Sequence, residues 1–175
     1  MNKKLIYILI IVFTAQFSCN RTEEYDTLVM QKERILDYLV DYDLDYSVRD
    51  DVYTVPLNTL ENSSTMAISA GDSVYFNYAS YTFVTAPVSL YTTNISEVAE
   101  DAGMAFEGPF TPLGIKYGES DIIEGLEIGL RGLMQNDSVM LFIPSDLAFK
   151  DKAIGTLSEY CTLAMFIDIV EIVKN

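Results

Sequence analysis

The apolar and polar positions between Ile115 and Ile143, IKYGESDIIEGLEIGLRGLMQNDSVMLFI, set the pattern around which the chain is organised. They predict a strand, a tight turn, a pair of isoleucines, a short helix, a second turn and another strand. Leu126, Leu130, Leu133 and Met134 recur at spacings of three and four, the apolar stripe of a helix over 124–134. Gly129 and Gly132 weaken this helix but keep it thin, so that it can lie close against a sheet. Gln135-Asn136-Asp137 then turns the chain into Val139–Ile143, an unbroken apolar run that reads as a strand covered on both faces. Upstream, Leu28, Ile35, Leu36 and Leu39 mark one side of a helix over 25–42, with Gln31, Lys32, Glu33 and Asp37 elsewhere on it. Val52–Pro56 reads as a strand ended by proline, and Glu61–Ser64 as a loop. Gly71-Asp72 turns into a strand over Ser73–Ala79 with Val74, Phe76 and Tyr78 on one face.

From 81 to 110 the pattern weakens. Val88–Tyr91 reads as a strand edge, Ser96–Ala102 as a short helix with Ser96 as its cap, and 103–110 as loop. A connection of this length is either functional or partly mobile. Thr162–Ile169 supplies a closing strand. The elements together predict one α+β domain over 51–175, preceded by a tether and helix over 19–50.

Composition narrows the chemistry. Half of the 175 residues are hydrophobic, and 12 tyrosines with 9 phenylalanines suit a β-rich core. Histidine is absent, which removes the commonest general base and metal ligand. The formal charge is −15. Residues 1–18 hold two of the 11 basic residues and no acidic ones, so a chain beginning at residue 19 has 9 against 26, or −17. Such a polyanion repels nucleic acid and anionic surfaces, and no nucleic-acid partner is expected. Asp41, Asp43, Asp45, Asp50 and Asp51 crowd one stretch, but the EF-hand order, with glycine sixth and glutamate twelfth, is missing. They read as a solvated acidic loop, and no metal site is expected.

Met1-Asn2-Lys3-Lys4 is a basic start, and Leu5–Phe13 is an apolar run shorter than the about 20 residues of a membrane span. With Ser18-Cys19 after it, the leader over 1–18 resembles a bacterial lipoprotein signal peptide, which implies lipidation of Cys19. Gln16-Phe17 departs from the usual Leu-Ala or Leu-Ser of that motif, and an ordinary secretory leader is the other reading. The lipoprotein reading places the chain at the cell envelope, held to a bilayer through Cys19, on the outer membrane and facing the periplasm or the surface. The acidic start over 20–26 resembles the surface-export signal of Bacteroidota-like lipoproteins, and reads equally as a solvated tether. Cys161 then stands without a disulfide partner, as a buried structural thiol.

The helix, the G-D turn, the V-x-F-x-Y strand and Ile122-Ile123-Glu124-Gly125 opening a helix together resemble the FKBP-type peptidyl-prolyl isomerase domain over roughly 71–173. The resemblance implies a curved antiparallel sheet of five or six strands wrapped around the helix at 124–134. It also implies rotation about X-Pro bonds of proline-containing polypeptides, assisting the folding of exported proteins. No cofactor is required. Carried over by position, Tyr78, Ile123 and Phe149 stand at catalytic positions, and Asp121, Ile122, Leu126 and Met165 at substrate-binding ones. Leu126 replaces the family's tryptophan floor, Phe149 a tyrosine donor and Met165 a phenylalanine. Ser158-Glu159-Tyr160 replaces the Ile-Pro-Pro before the last strand, and the phenylalanine-aspartate pair of the second strand has no clear counterpart in 81–110. These replacements imply a weak isomerase, or a binding or chaperone-like module that keeps the fold without turnover. Ile123, Leu126 and Met165 read equally well as plain core. Asp121 and Glu124 read as a helix-start charge pattern.

Overall fold

In the computed structural model, which describes residues 27–58, 67–104 and 110–175, the first apolar stripe forms a helix, α1, over 27–41. Its end is a Schellman turn: Leu44 N–H bonds to Leu39 C=O at 3.0 Å and Asp43 N–H to Val40 C=O at 3.1 Å. Asp43 takes the left-handed conformation (φ 49°) that glycine usually supplies there. The leader with Cys19, the acidic start over 20–26, the loop Glu61–Ser64 and most of the 103–110 loop lie outside the described residues.

Seven strands follow: β1 (Ser47–Arg49), β2 (Val52–Pro56), β3 (Ser73–Phe83), β4 (Pro87–Thr93), β5 (Leu113–Lys116), β6 (Ser138–Ile143) and β7 (Thr162–Val173). Among the described residues they form one antiparallel sheet, in the order β1-β2-β6-β7-β3-β4. The N-terminal half of β3 pairs instead with β5. The expected five or six strands become seven because the acidic exit from α1 is not simply solvated. Asp50 and Asp51, at φ 46° and 65°, make the two-residue turn of a β1–β2 hairpin. Asp51 also meets Lys32 of α1 at 2.8 Å.

The sheet has a core on each face. On the concave face Val74, Phe76, Leu141, Ile143, Leu163 and Ile167 pack beneath a helix, α3 (Glu124–Leu130). On the other face Ile35 and Leu39 of α1 cover Tyr53, Phe83, Phe142 and Ala164. This is why Val139–Ile143 carries no polar alternation: odd positions face α3 and Phe142 faces α1. The same two covers explain two strands longer than predicted. The apolar side of β3 changes faces beyond Ala79, where Phe83 goes under α1. In β7, Tyr75 pairs with Glu171 and Phe76 with Ile169, so Val170 is an extra residue. That bulge reverses the parity, taking the buried set from Ile167 and Ile169 to Ile172, and bends the strand.

α3 is shorter than 124–134. Arg131 caps it outside helical geometry, and Gly132 turns at φ 82°. Close approach to the sheet rests on Gly125 and Gly129, whose added Cβ atoms would overlap Ile143 and Leu141; Gly132 has open space around it. A second short helix, α2 (Ser96–Asp101), has Ile95 and not Ser96 at its N-cap, without a side-chain cap bond. Thr93 Oγ1 instead accepts from Ile95 N–H at 3.0 Å.

The Gly71-Asp72 turn does more than reverse the chain. Asp72 is buried and accepts from Lys174 Nζ at 2.7 Å, Ser69 N–H at 2.8 Å and Asn175 N–H at 3.4 Å. The Lys174 hydrogen bond first, then the Ser69 and Asn175 N–H groups, hold its carboxyl below the usual carboxylate range against the opposing effect of burial. A depressed folded pKa gives stability that is complete above the unfolded value of about 4 and is lost as pH falls through the folded one. Asp72→Asn is therefore expected to lower the melting temperature at neutral pH, with the two melting curves converging as acid is added. If they stay parallel down to about pH 2, this anchor contributes nothing pH-dependent.

Candidate active site

A cleft of about 160 Å³ opens on the concave face, between β3, β4, β7 and the start of α3. Its walls are built locally. Phe76, Tyr78 and Ser80 alternate onto the concave side of β3, and Leu163 and Met165 do the same on β7. Ile122, Ile123 and Leu126 come from the entry and first turn of α3. As N-cap, Ile123 is extended (φ −63°, ψ 141°), so its N–H has no intrahelical partner. Phe149 arrives from the loop after β6, beyond a 3₁₀ turn over Ser145–Leu147.

Six of the seven pocket positions expected from the sequence, Tyr78, Ile122, Ile123, Leu126, Phe149 and Met165, thus meet at one cleft. Asp121 does not: it is exposed and outside the lining. Leu126 and Met165 are almost fully buried and belong to the concave core while also bordering the cleft.

β4 adds cleft residues that the pattern over 81–110 did not reveal. Ser80 pairs with Thr92 and Tyr81 with Leu90, leaving Tyr91 as an extra residue in β4. Neighbours in a regular strand point to opposite faces, but this bulge lets Tyr91 and Thr92 both line the cleft. Tyr91 meets Phe149 edge to face, with ring centroids 6.2 Å apart. Thr92 Oγ1 lies 3.3 Å from the Tyr78 hydroxyl. Asn94 fastens the end of β4 to β3, accepting from Tyr78 N–H at 2.7 Å and donating to Phe76 C=O at 3.1 Å. Asn94 is thus a structural clip, although in sequence it begins an N-x-S motif. Sequence periodicity missed Tyr91 and Thr92 because a bulge breaks the period on which it relies.

The loop carrying Phe149 is held from behind by α1. Gln31, read from sequence as lying off the apolar side, is buried beside Ile35 and Leu39. Its Oε1 accepts from Ser145 N–H at 2.9 Å, and its Nε2 donates to Ser145 Oγ at 3.1 Å and Tyr160 C=O at 2.9 Å. Lys150 N–H closes the same loop onto Ser145 C=O at 2.8 Å. Cys161, next to it, is half-buried rather than fully buried, and burial pushes its thiol pKa up. The raised pKa disfavours the thiolate, the form in which a cysteine attacks. Among the described residues no group of three or more Cys, Asp or Glu is arranged to hold a metal ion.

Among the described residues the cleft is therefore an apolar and aromatic cup with hydroxyls at one side, lined by no carboxylate, amine or thiol. It can bind an apolar ring and exclude water from a bond next to it. Solved structures share the architecture. FkpA from Escherichia coli matches with a TM-score of 0.57 at 14% identity, over 99% of this chain and 74% of that one. A peptidyl-prolyl cis-trans isomerase from Pseudomonas syringae matches with a TM-score of 0.62 at 12% identity, over 86% and 96%. The three FKBP domains of wheat FKBP73 match with a TM-score of 0.57 at 14% identity, over 75% and 50%. These likenesses define the fold as FKBP-like. Residues 65–167 match the FKBP-type peptidyl-prolyl cis-trans isomerase family model, and the chain belongs to that family. No curated protein matches it in sequence.

Proposed function

We propose that this chain is a lipid-anchored FKBP-type isomerase that assists the folding of exported proteins and turns over slowly. Enzymes of this family act on proline-containing peptides. The uncatalysed barrier to X-Pro rotation is about 18–20 kcal/mol, and the twisted amide has lost the resonance and charge separation that water stabilises. An apolar cup that takes the planar amide out of water raises the ground state relative to the twisted one. The observation that carries the reading is the cleft itself, with Tyr78, Ile122, Ile123, Leu126, Phe149 and Met165 around one apolar space. In this reading Leu126 and Met165 hold the prolyl ring, Ile122 shapes the rim, and Tyr78, Ile123 and Phe149 surround the rotating bond.

Slow turnover follows from two side chains. Leu126 offers less flat surface than an aromatic floor, and Phe149 has no hydroxyl, which removes a donor worth about 0.5–1.5 kcal/mol. The same two residues favour the second reading, a non-catalytic binding or chaperone-like module. The anchor is Cys19, with the domain held at the outer membrane, facing the periplasm or the surface; among the described residues no helix is long and apolar enough to cross a membrane.

The test is refolding of a protein limited by an X-Pro bond, with the chain from Asn20 added. Acceleration is expected, falling about tenfold, the equivalent of about 1.4 kcal/mol, in Tyr78→Ala and in Ile123→Ala at unchanged fold. Should the wild-type chain give no acceleration even in large excess, isomerase function is excluded and the binding module remains. Labelled palmitate incorporation that is abolished by Cys19→Ala tests the anchor.

A further inference from the structure

Among the described residues, Ser80 carries the one buried hydroxyl in the cleft that has no hydrogen-bond partner. Its residue is 1% exposed, yet it lines the cleft, and its Oγ has no hydrogen-bond partner among the described residues. The strand register explains why. Ser80 faces the concave side between Thr92 of β4 and Met165 of β7. The Thr92 hydroxyl is engaged with Tyr78, and the Met165 thioether is at best a weak acceptor. β4 bulges immediately beside it, at Tyr91, so no regular cross-strand neighbour closes over the hydroxyl. Buried polar groups in native proteins are almost always paired, and an orphan on a ligand-sized cleft points to the ligand as the missing partner.

Resting on the isomerase reading above, we infer that Ser80 Oγ donates a hydrogen bond to a carbonyl oxygen of the bound prolyl peptide and so sets its position in the cup. The chemistry follows from the lining. Beside Ser80 the apolar lining of Phe76, Leu163 and Met165 offers no donor, and the hydroxyls of Tyr78 and Thr92 are engaged with each other. A peptide whose prolyl ring fills this space carries a carbonyl on either side of the ring, and each needs a donor once water is excluded. Phe149 cannot serve, having no hydroxyl. The chain thus keeps a side-chain donor on the sheet floor where the loop offers none. A contact made both before and during rotation is uniform binding, so it acts on KM rather than kcat.

The experiment compares the wild-type chain from Asn20 with Ser80→Ala. It uses a blocked Ala-Leu-Pro-Phe peptide carrying ¹³C at either the leucine or the proline carbonyl. Isotope-edited infrared spectroscopy is expected to show one of the two carbonyls moved to lower frequency on binding to the wild type. In Ser80→Ala that displacement should vanish, with KM raised about fivefold to tenfold and kcat unchanged. The melting temperature of free Ser80→Ala should equal or exceed that of the wild type, because an unpaired buried hydroxyl is removed. A displaced carbonyl that persists in Ser80→Ala, or unchanged KM, overturns the role of Ser80 while leaving the isomerase reading intact. A wild-type chain that neither binds nor turns over the peptide overturns both.

Discussion

Gly125→Ala is expected to lower the melting temperature by about 5–10 °C, the equivalent of about 2–3 kcal/mol for a chain of this size. An alanine Cβ there would overlap Ile143 Cγ2 and stand 3.1 Å from the backbone oxygen of Leu147. Neither obstacle yields readily. Ile143 is fully buried and branched at Cβ, so its methyl moves only by a change of rotamer. The Leu147 carbonyl belongs to the turn that leads to Phe149. The helix must move instead, and it takes Ile123 and Leu126 away from the cleft. The helix-propensity gain of about 1 kcal/mol from replacing glycine offsets only part of this. Gly129→Ala should cost less, since it meets the far end of Leu141. Gly132→Ala touches nothing and should cost only about 1 kcal/mol from its positive φ. The order of the three melting temperatures is the check. If Gly125→Ala melts at or above the wild type, α3 does not owe its closeness to this position.

Gln31→Leu is expected to cost about 3 kcal/mol, more than a hundredfold in the folded-to-unfolded ratio, although leucine is similar in volume. The glutamine satisfies both the N–H and the hydroxyl of Ser145, a residue 1% exposed, and also the carbonyl of Tyr160. Leucine leaves the Ser145 N–H buried without its partner, at about 1–3 kcal/mol for such a group, and unfastens the loop from α1. Two measurements separate this from general destabilisation. Amide exchange at Ser145 and Lys150 should accelerate first, well below the melting temperature, because the loop opens before the sheet. Isomerase activity should fall together with that protection, since Phe149 is carried by the same loop. Unchanged exchange at Ser145 would show that α1 is an attachment to the domain and not a support for the cleft.

Both predictions concern residues that sequence reading treats differently. The thinness of α3 was legible, because glycine in an apolar helical stripe has few other uses, but the choice between Gly129 and Gly132 was not. Gly132 lies beyond the last turn, and only the course of the chain after Leu130 reveals that. Gln31 gave no signal at all, since a polar residue in an amphipathic helix is expected to face water. It is buried because α1 packs over the end of β6, where the loop from Ser145 presents unpaired backbone groups.

The family resemblance placed the two isoleucines at the cleft, while the local pattern of residues by itself determined the α+β class, the position of α3 and the two-faced strand Val139–Ile143. These follow from the spacing of neighbours along the chain, since helix and strand periods place side chains within a few residues of one another. Tertiary structure alone decided the rest. It turned Asp50-Asp51 into a hairpin, extended β7 through a bulge at Val170, and used another bulge to bring Tyr91 and Thr92 together beside Tyr78. It also buried Ser80 without a partner among the described residues. Each of these depends on pairing between segments far apart in sequence, where a one-residue shift of register reverses which side chains face the cleft.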